Sequence, residues 1–167
     1  MTGPIALTLD PSLDLLFERI VEVPPELVWR AWTVPALVMR WFTPAPWTTT
    51  ACDIDLHPGG KFRTVMRSPE GQEFENTGCY LEVLANERLT WTSALGPGFR
   101  PAGTTGADAL GIVFTAAISL ARHPHGTKYT AHAMHGDAAG RNRHAQMGFE
   151  DGWGKALEQL VTVAKTL

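Results

Sequence analysis

The sequence predicts an α+β fold in which a curved antiparallel sheet wraps a long C-terminal helix. The first observation is a sustained apolar stripe at helical spacing in residues 138–167. The second is a series of six strand-like segments between residues 47 and 135, joined mostly by short turns. Because consecutive strands usually lie side by side, these six form an antiparallel meander. One strand and two short helices precede them, and the C-terminal helix needs a concave partner.

The composition limits the classes of protein to which the chain can belong. A chain of 167 residues suggests one domain, which can bury about 70% of its unfolded surface without disulfides or metals. A net charge of −3 gives no electrostatic argument for a nucleic-acid or anionic-membrane partner. No apolar run reaches membrane-spanning length, and the N-terminal segment lacks the pattern of a secretory signal. We therefore expect a cytoplasmic protein, with Cys52 and Cys79 as free core thiols.

The N-terminal part of the chain divides at its prolines. Residues 1–12 are expected to form a loose arm, and residues 13–167 a single domain. The run LDLLFERIVEV predicts a strand that ends at Pro24 and Pro25, and Pro25 can begin a helix. The segments ELVWRAW and ALVMRWF then predict two short helices, of which the second stops before Pro44.

Six predicted strands occupy the middle of the chain. They alternate apolar and polar residues, as Phe62, Thr64 and Met66 do on one face, and turn sequences such as HPGG and PEGQ separate them. Residues 96–108 are rich in glycine and proline and predict the longest loop. The strand segments are WTTTACDIDL, KFRTVMRS, EFENTGCYLEVL, ERLTWTSAL, ALGIVFTAAISLA and TKYTAHAMH.

The segment from Ala138 to Leu167 predicts one amphipathic helix of roughly 40 Å. Gly148, Gly152 and Gly154 lie inside it, and each costs about 1 kcal/mol relative to alanine. Two explanations stay open. The glycines mark a kink or a frayed first half, or Gly148 and Gly152 allow another backbone to approach closely.

Six segments of the chain together carry a resemblance to a known family. They are VEVPPELVWRAWTVP, RWFTP, DIDLHPGGKFRTVM, GCYLEV, ERLTWT and MGFEDGWGKALEQL. In this order they resemble the START-like superfamily, also called SRPBCC or helix-grip. Within it, the chain resembles the branch of the C-terminal domain of the activator of heat-shock protein 90 ATPase. The resemblance implies a seven-stranded antiparallel sheet that grips the C-terminal helix, with an apolar cavity between them.

Aromatic side chains are the first candidate functional set, because aromatic walls with few polar groups suit an apolar ligand. Ordinary core packing is the alternative for each residue, but six tryptophans in the chain favour a cavity. The predicted ligand-binding residues are Trp32, Trp41, Phe62, Met66, Tyr80, Trp91, Phe114, Phe149, Trp153 and Leu157.

Polar residues on inward strand positions are the second candidate set. A carboxylate near a tyrosine in an apolar cavity could transfer protons, and the candidates are Tyr80 and Glu82 on strands and Glu150 at the border of the helical stripe. Arg19 and Asp55 also fall on such positions. The favoured alternative is that these groups form structural ion pairs or lie on a solvated strand face.

The histidines and glycines predict neither a metal site nor a cofactor. His132 and His135 are three apart on a predicted strand, so they point to opposite faces. His144 is placed on the polar side of the predicted helix, and no pair has metal-ligand spacing. The glycine-rich turns match neither a phosphate loop nor a dinucleotide-binding motif.

The leading hypothesis is that the protein binds a hydrophobic small molecule beneath the C-terminal helix, without catalysis. One alternative is an enzyme of cyclase or hydrolase type that uses cavity tyrosine and glutamate as acid and base. Another is a chaperone-associated protein-interaction module. A homodimer is compatible with the exposed sheet edges of grip folds.

Overall fold

The computed structural model describes residues 3–102 and 111–167. Within these two ranges, nine strands and four α-helices follow one another in the order that the sequence predicts, apart from one short hairpin and a divided C-terminal helix. The elements are β1 Asp14–Val21, α1 Pro25–Thr33, α2 Pro35–Trp41, β2 Thr48–Ile54, β3 Lys61–Arg67, β4 Glu73–Leu84, β5 Arg88–Thr92, β6 Leu95–Gly96, β7 Arg100–Pro101, β8 Phe114–His123, β9 Gly126–His135, α3 Ala138–Gln146 and α4 Phe149–Ala164.

Seven of the strands form one antiparallel sheet in the order β1-β9-β8-β5-β4-β3-β2. The predicted α+β helix-grip fold, with its seven-stranded sheet and two short helices after the first strand, is confirmed. β1 and β2 lie at opposite edges of the sheet although they are neighbours among the strands in sequence. The pair α1 and α2 makes this crossing, and both helices contact α4.

Proline sets the boundaries of the first two helices. Pro24 caps α1 in an extended conformation and Pro25 occupies its first turn, where the missing N–H costs no hydrogen bond. Glu26 lies in that turn, where its charge complements the helix dipole. Val34 is extended, as expected before Pro35, and separates α1 from α2.

The core lies between the sheet and the helices. Phe17 of β1 and Tyr129 of β9 meet edge to face at 6.4 Å. Leu160 of α4 is fully buried in the same cluster, and burial of a leucine side chain contributes about 2 kcal/mol. The two cysteines are free and buried, as predicted.

The C-terminal segment is not one helix. Gly148 has φ 91° and ψ 37°, a left-handed conformation that ends α3 and precedes α4. The 16 residues of α4 span about 24 Å rather than 40 Å. A Cβ on Gly148 or Gly152 would meet no heavy atom within 4 Å, so the close-approach explanation is wrong. The explanation by a kink is confirmed.

The predicted long loop contains structure that the sequence reading missed. β6 and β7 pair as a small hairpin around a 3₁₀ turn at Pro97–Phe99. Residues 103–108 of the predicted loop, and the first two residues of the predicted strand ALGIVFTAAISLA, lie outside the described residues. In the described part, that strand begins at Phe114.

The N-terminal arm has no helix or strand between residues 3 and 12, but hydrogen bonds tie it to the sheet. The backbone N–H of Ile5 donates to Glu82 at 2.8 Å, and Arg88 donates to the Ile5 carbonyl at 2.6 Å. Further along, the N–H of Asp10 donates to Asp14 at 3.0 Å. The described part of the arm is therefore held at Ile5 and at Asp10, and is not loose as predicted. Across the described ranges, no helix combines the length and apolar character that crossing a membrane requires.

Candidate functional site

A partly open cavity of about 500 Å³ lies between the sheet, α2 and α4. Its wall is mainly apolar, and its volume falls in the range of small-molecule sites. The lining residues are Trp32, Trp41, Phe42, Thr43, Pro44, Ala45, Trp47, Phe62, Thr64, Met66, Asn76, Thr77, Gly78, Trp91, Ser93, Phe114, His144, Met147, Gly148, Phe149, Gly152, Trp153 and Ala156.

The floor of the cavity is a set of interlocked rings. The Trp32 ring lies 4.7 Å from the Trp41 ring and 5.2 Å from the Trp91 ring, measured between centroids. The indole N–H of Trp41 donates to the Ala31 carbonyl at 2.9 Å, and that of Trp32 donates to the Tyr129 hydroxyl at 3.2 Å. Because both N–H groups have partners in the protein, these indoles offer the cavity apolar surface.

Strand pleating supplies one wall. Phe62, Thr64 and Met66 alternate along β3 and all line the cavity, which confirms their predicted common face. The Phe62 ring packs edge to face against Trp91 at 5.3 Å, so β3 and β5 are joined by their inward side chains.

The segment between α2 and β2 borders the cavity and is fixed to α4 by one side chain. The amide of Gln159 donates to the carbonyl oxygens of Trp41 at 2.8 Å and Thr43 at 2.9 Å. Its oxygen accepts from the N–H of Ala45 at 2.9 Å. Next along the chain, Trp47 stacks on Phe74 at 5.7 Å. Hydrogen bonds and one ring contact therefore hold this border of the cavity in place.

A pair of histidines lies where α3 meets the sheet. Nε2 of His135 is 2.9 Å from Nδ1 of His144, and both residues are buried. The His144 ring also contacts Phe114 at 4.8 Å and Phe149 at 5.1 Å. Burial, and secondarily the neighbouring His135, lower the pKa of His144 to about 4. The ring is therefore neutral at neutral pH.

Eight of the ten predicted ligand-binding residues line the cavity. Tyr80 and Leu157 do not. The Tyr80 ring lies behind Phe62, stacked at 5.3 Å, and is fully buried. Leu157 is buried in the core and borders a second, more open depression between β1 and α4.

Glu82 does not face the cavity, because the strand is irregular before it. The register of β4 against β5 shifts between Tyr80 and Glu82, so these residues two apart no longer share a face. The Glu82 carboxylate instead accepts hydrogen bonds from the Ile5 N–H and the Thr90 hydroxyl, and it lies 3.7 Å from Arg88. It forms a structural ion pair, the alternative favoured from the sequence.

The other polar candidates lie at the surface. Glu150 forms an ion pair with Arg19 at 2.7 Å, and both side chains are about half exposed. This pair borders the second depression, outside the cavity. Asp55 is exposed beyond the end of β2. The structure thus does not bring Tyr80, Glu82 and Glu150 together.

Tyr80 carries an unusual buried hydroxyl. Within the described ranges it has no hydrogen-bond partner. Burial, with a smaller contribution from Cys52, raises the pKa of Tyr80 far above its ordinary value. Burial likewise raises the pKa of the Cys52 thiol to about 12. Neither group is ionised at neutral pH, so neither is an activated nucleophile.

The described residues hold no group of three or more His, Cys, Asp or Glu side chains that could bind a metal ion. His132 bonds Asp14 at 2.7 Å, while His135 bonds the Leu13 carbonyl and His144. These separate partners agree with the predicted opposite faces. The placement of His144 on the polar side of the helix is wrong, because the turn at Gly148 resets the helical phase and His144 is 4% exposed.

Several lining residues were missing from the predicted site. The alternation of Thr64 with Phe62 and Met66 is the sequence signal that places it on the same wall. The residues Pro44, Ala45 and Trp47 follow a helix end and have no periodicity that would reveal them. His144 has no such signal, because its inward orientation depends on the left-handed turn at Gly148.

The family model described as activator of Hsp90 ATPase homolog 1-like protein matches residues 22–165. No curated protein gives a match. A match to a family with this fold supports a general role as a ligand-binding or interaction module.

Solved structures of several bacterial proteins share the fold of this chain. A protein from Nitrosomonas europaea is 46% identical, with a TM-score of 0.88 over 95% of this chain and 97% of that chain. A protein from Rhodobacter sphaeroides is 23% identical, with a TM-score of 0.77 over 99% and 97%. One from Mycobacterium smegmatis is 20% identical, with a TM-score of 0.72 over 91% and 90%. The last two likenesses concern the fold alone.

Proposed function

The chain belongs to the activator of Hsp90 ATPase homolog 1-like family, and from this premise we propose that it binds a hydrophobic small molecule in the cavity between the curved sheet and α4. The observation that carries the proposal is the aromatic wall of the cavity. Five tryptophans and four phenylalanines line a space of about 500 Å³. Among the described lining residues there is no aspartate, glutamate, lysine or arginine.

Such a wall binds mainly by removing apolar surface from water, worth about 25 cal/mol per Å² before the costs of ordering are subtracted. The floor is already packed, and the indole N–H groups of Trp32 and Trp41 donate hydrogen bonds within the protein. Little rearrangement of these side chains is then needed on binding, which favours affinity.

The positions of the catalytic candidates support binding without catalysis. Glu82 is paired with Arg88 and Glu150 with Arg19, and neither glutamate lines the cavity. A proton-transfer group has to reach the substrate directly or through one water.

Two variants of Gly152 provide a direct test. Gly152 lines the cavity from within α4, and a Cβ there meets no heavy atom within 4 Å. Gly152→Phe places a ring in the open space, whereas Gly152→Ala is the matched control that leaves most of it. Both replacements also remove a helical glycine, so they do not lower helix propensity.

The experiment measures small molecules that co-purify with each protein after denaturing extraction, together with thermal shifts across a library of lipids and aromatic compounds. We expect wild type and Gly152→Ala to bind the same compounds and Gly152→Phe to lose them while remaining folded. An empty extract with no thermal shift for wild type, or binding by Gly152→Phe at wild-type affinity, contradicts the proposal.

A further inference from the structure

His144 is the one ionisable side chain among the described residues that line the cavity. Building on the proposed binding function, we propose that Nε2 of His144 accepts a hydrogen bond from the ligand. The cavity then selects neutral, largely apolar molecules that carry a hydroxyl or N–H group, and disfavours carboxylates of the same skeleton.

A short relay of hydrogen bonds determines which nitrogen of His144 is the acceptor. Nδ1 of His135 lies 2.8 Å from the Leu13 carbonyl oxygen, which can only accept, so this nitrogen carries a proton. With His135 neutral, its Nε2 accepts the proton of His144 Nδ1 at 2.9 Å. In neutral His144, Nε2 is then left with a lone pair.

This lone pair is available to a ligand. No residue in the described part of the chain bonds to Nε2 of His144. Contacts with Phe114 and Phe149 on the ring, and the bond to His135, fix its position. The lowered pKa of His144, caused by burial and by His135, agrees with a ring that stays neutral and accepting. An acceptor held in this way is preorganised for a donor.

The same surroundings disfavour an anionic ligand. The described lining offers no lysine or arginine to a carboxylate, and a lone pair on His144 repels one. Burying an unpaired charge is far more costly than burying a bonded hydroxyl. An ether lacks the donor, so it fills the space but leaves Nε2 without a partner.

Four probes of one skeleton separate these effects: naphthalene, 2-naphthol, 2-methoxynaphthalene and 2-naphthoate. Titration calorimetry at pH 7.5 gives the affinity of each for wild type, for His144→Phe and for His144→Gln. Phenylalanine removes the acceptor, while glutamine keeps one donor and one acceptor. Circular dichroism and thermal unfolding report whether each variant is folded.

We expect wild type to bind 2-naphthol about three- to tenfold more tightly than 2-methoxynaphthalene, and 2-naphthoate most weakly. In His144→Phe the preference for 2-naphthol over the ether disappears, and His144→Gln restores part of it. In wild type, the ¹⁵N resonance of His144 Nε2 shifts with 2-naphthol and not with the ether. This wild-type measurement decides the question even if a variant fails to fold.

The two proposals fail differently. If naphthalene binds but 2-naphthol and the ether bind wild type equally, with no selective ¹⁵N shift, the role of His144 is overturned and the binding function stands. Tighter binding of 2-naphthoate also overturns the proposed selectivity. If none of the four probes binds wild type, both proposals fail for ligands of this size.

Discussion

The side-chain amide of Gln159 donates to the carbonyl oxygen of Thr43 at 2.9 Å and so joins α4 to the segment that borders the cavity. The same side chain bonds the backbone of Trp41 and Ala45. One residue thereby satisfies three backbone groups at and just beyond the end of α2. Gln159 is thus the main specific tie between this border and the helix.

Replacing Gln159 with alanine should lower the free energy of unfolding by about 1–3 kcal/mol, since three hydrogen bonds are lost from partly exposed groups. Denaturant unfolding measures the change, and amide exchange at Ala45 should accelerate. Thr162→Ala, on the exposed side of α4, is the control and should change stability much less. An unchanged exchange rate at Ala45 would contradict the assigned role.

Two glycines four residues apart should respond to alanine with opposite signs. Gly148 has φ 91°, so Gly148→Ala should destabilise by about 1 kcal/mol although space is available. Gly152 is helical, so Gly152→Ala should stabilise by up to about 1 kcal/mol. Thermal and denaturant unfolding of the two variants give the comparison. Equal effects would rule out the left-handed turn as the cause.

The buried His144 makes stability depend on pH. Burial and His135 lower its pKa from 6.5 to about 4 in the folded state. Between these values the unfolded chain binds a proton that the folded chain does not, so stability falls as pH drops from about 6.5 to 4. The loss amounts to at most about 3 kcal/mol. It is complete only at a pH below the folded-state pKa.

Unfolding measured between pH 4 and 8 should show this loss in wild type and not in His144→Phe. In His135→Phe the repelling neighbour is absent, and most of the loss should persist because burial is the larger cause. A wild-type profile parallel to that of His144→Phe would mean that His144 is not buried as described.

Two buried tyrosines form a matched pair. The Tyr80 hydroxyl has no partner among the described residues, so Tyr80→Phe should leave stability unchanged or raise it by up to about 2 kcal/mol. The Tyr129 hydroxyl accepts a hydrogen bond from the Trp32 N–H. Tyr129→Phe leaves that N–H without a partner and should lower the free energy of unfolding by about 1–2 kcal/mol. Denaturant unfolding compares them. A cost above about 1 kcal/mol for Tyr80→Phe would reveal a bonded partner.

Regular periodicity explains what could be predicted from the sequence. The alternation in β3 placed Phe62 and Met66 on the cavity wall, and helical spacing placed Phe149 and Trp153 there. Proline rules located the starts of α1 and α2. These features depend on local backbone geometry, which can be inferred from the spacing of residues in a single sequence.

Single-residue irregularities explain what was missed. One shift of register in β4 separates Tyr80 from Glu82, and one left-handed glycine turns His144 inward. Each changes the face on which the residues beyond it fall, so periodicity cannot be extrapolated across it. The hydrogen bonds of Gln159 connect positions 114 to 118 residues apart, and no local sequence pattern predicts them.

The order of the sheet has a consequence for how the protein is synthesised. β1 lies at an edge and pairs with β9, so contacts such as that of Asp14 with His132 join positions 118 residues apart. During translation β1 therefore cannot pair with β9 until β9 has left the ribosome. During that time its apolar face, including Phe17, is unprotected. Chaperone dependence during translation should consequently be greatest before β9 emerges.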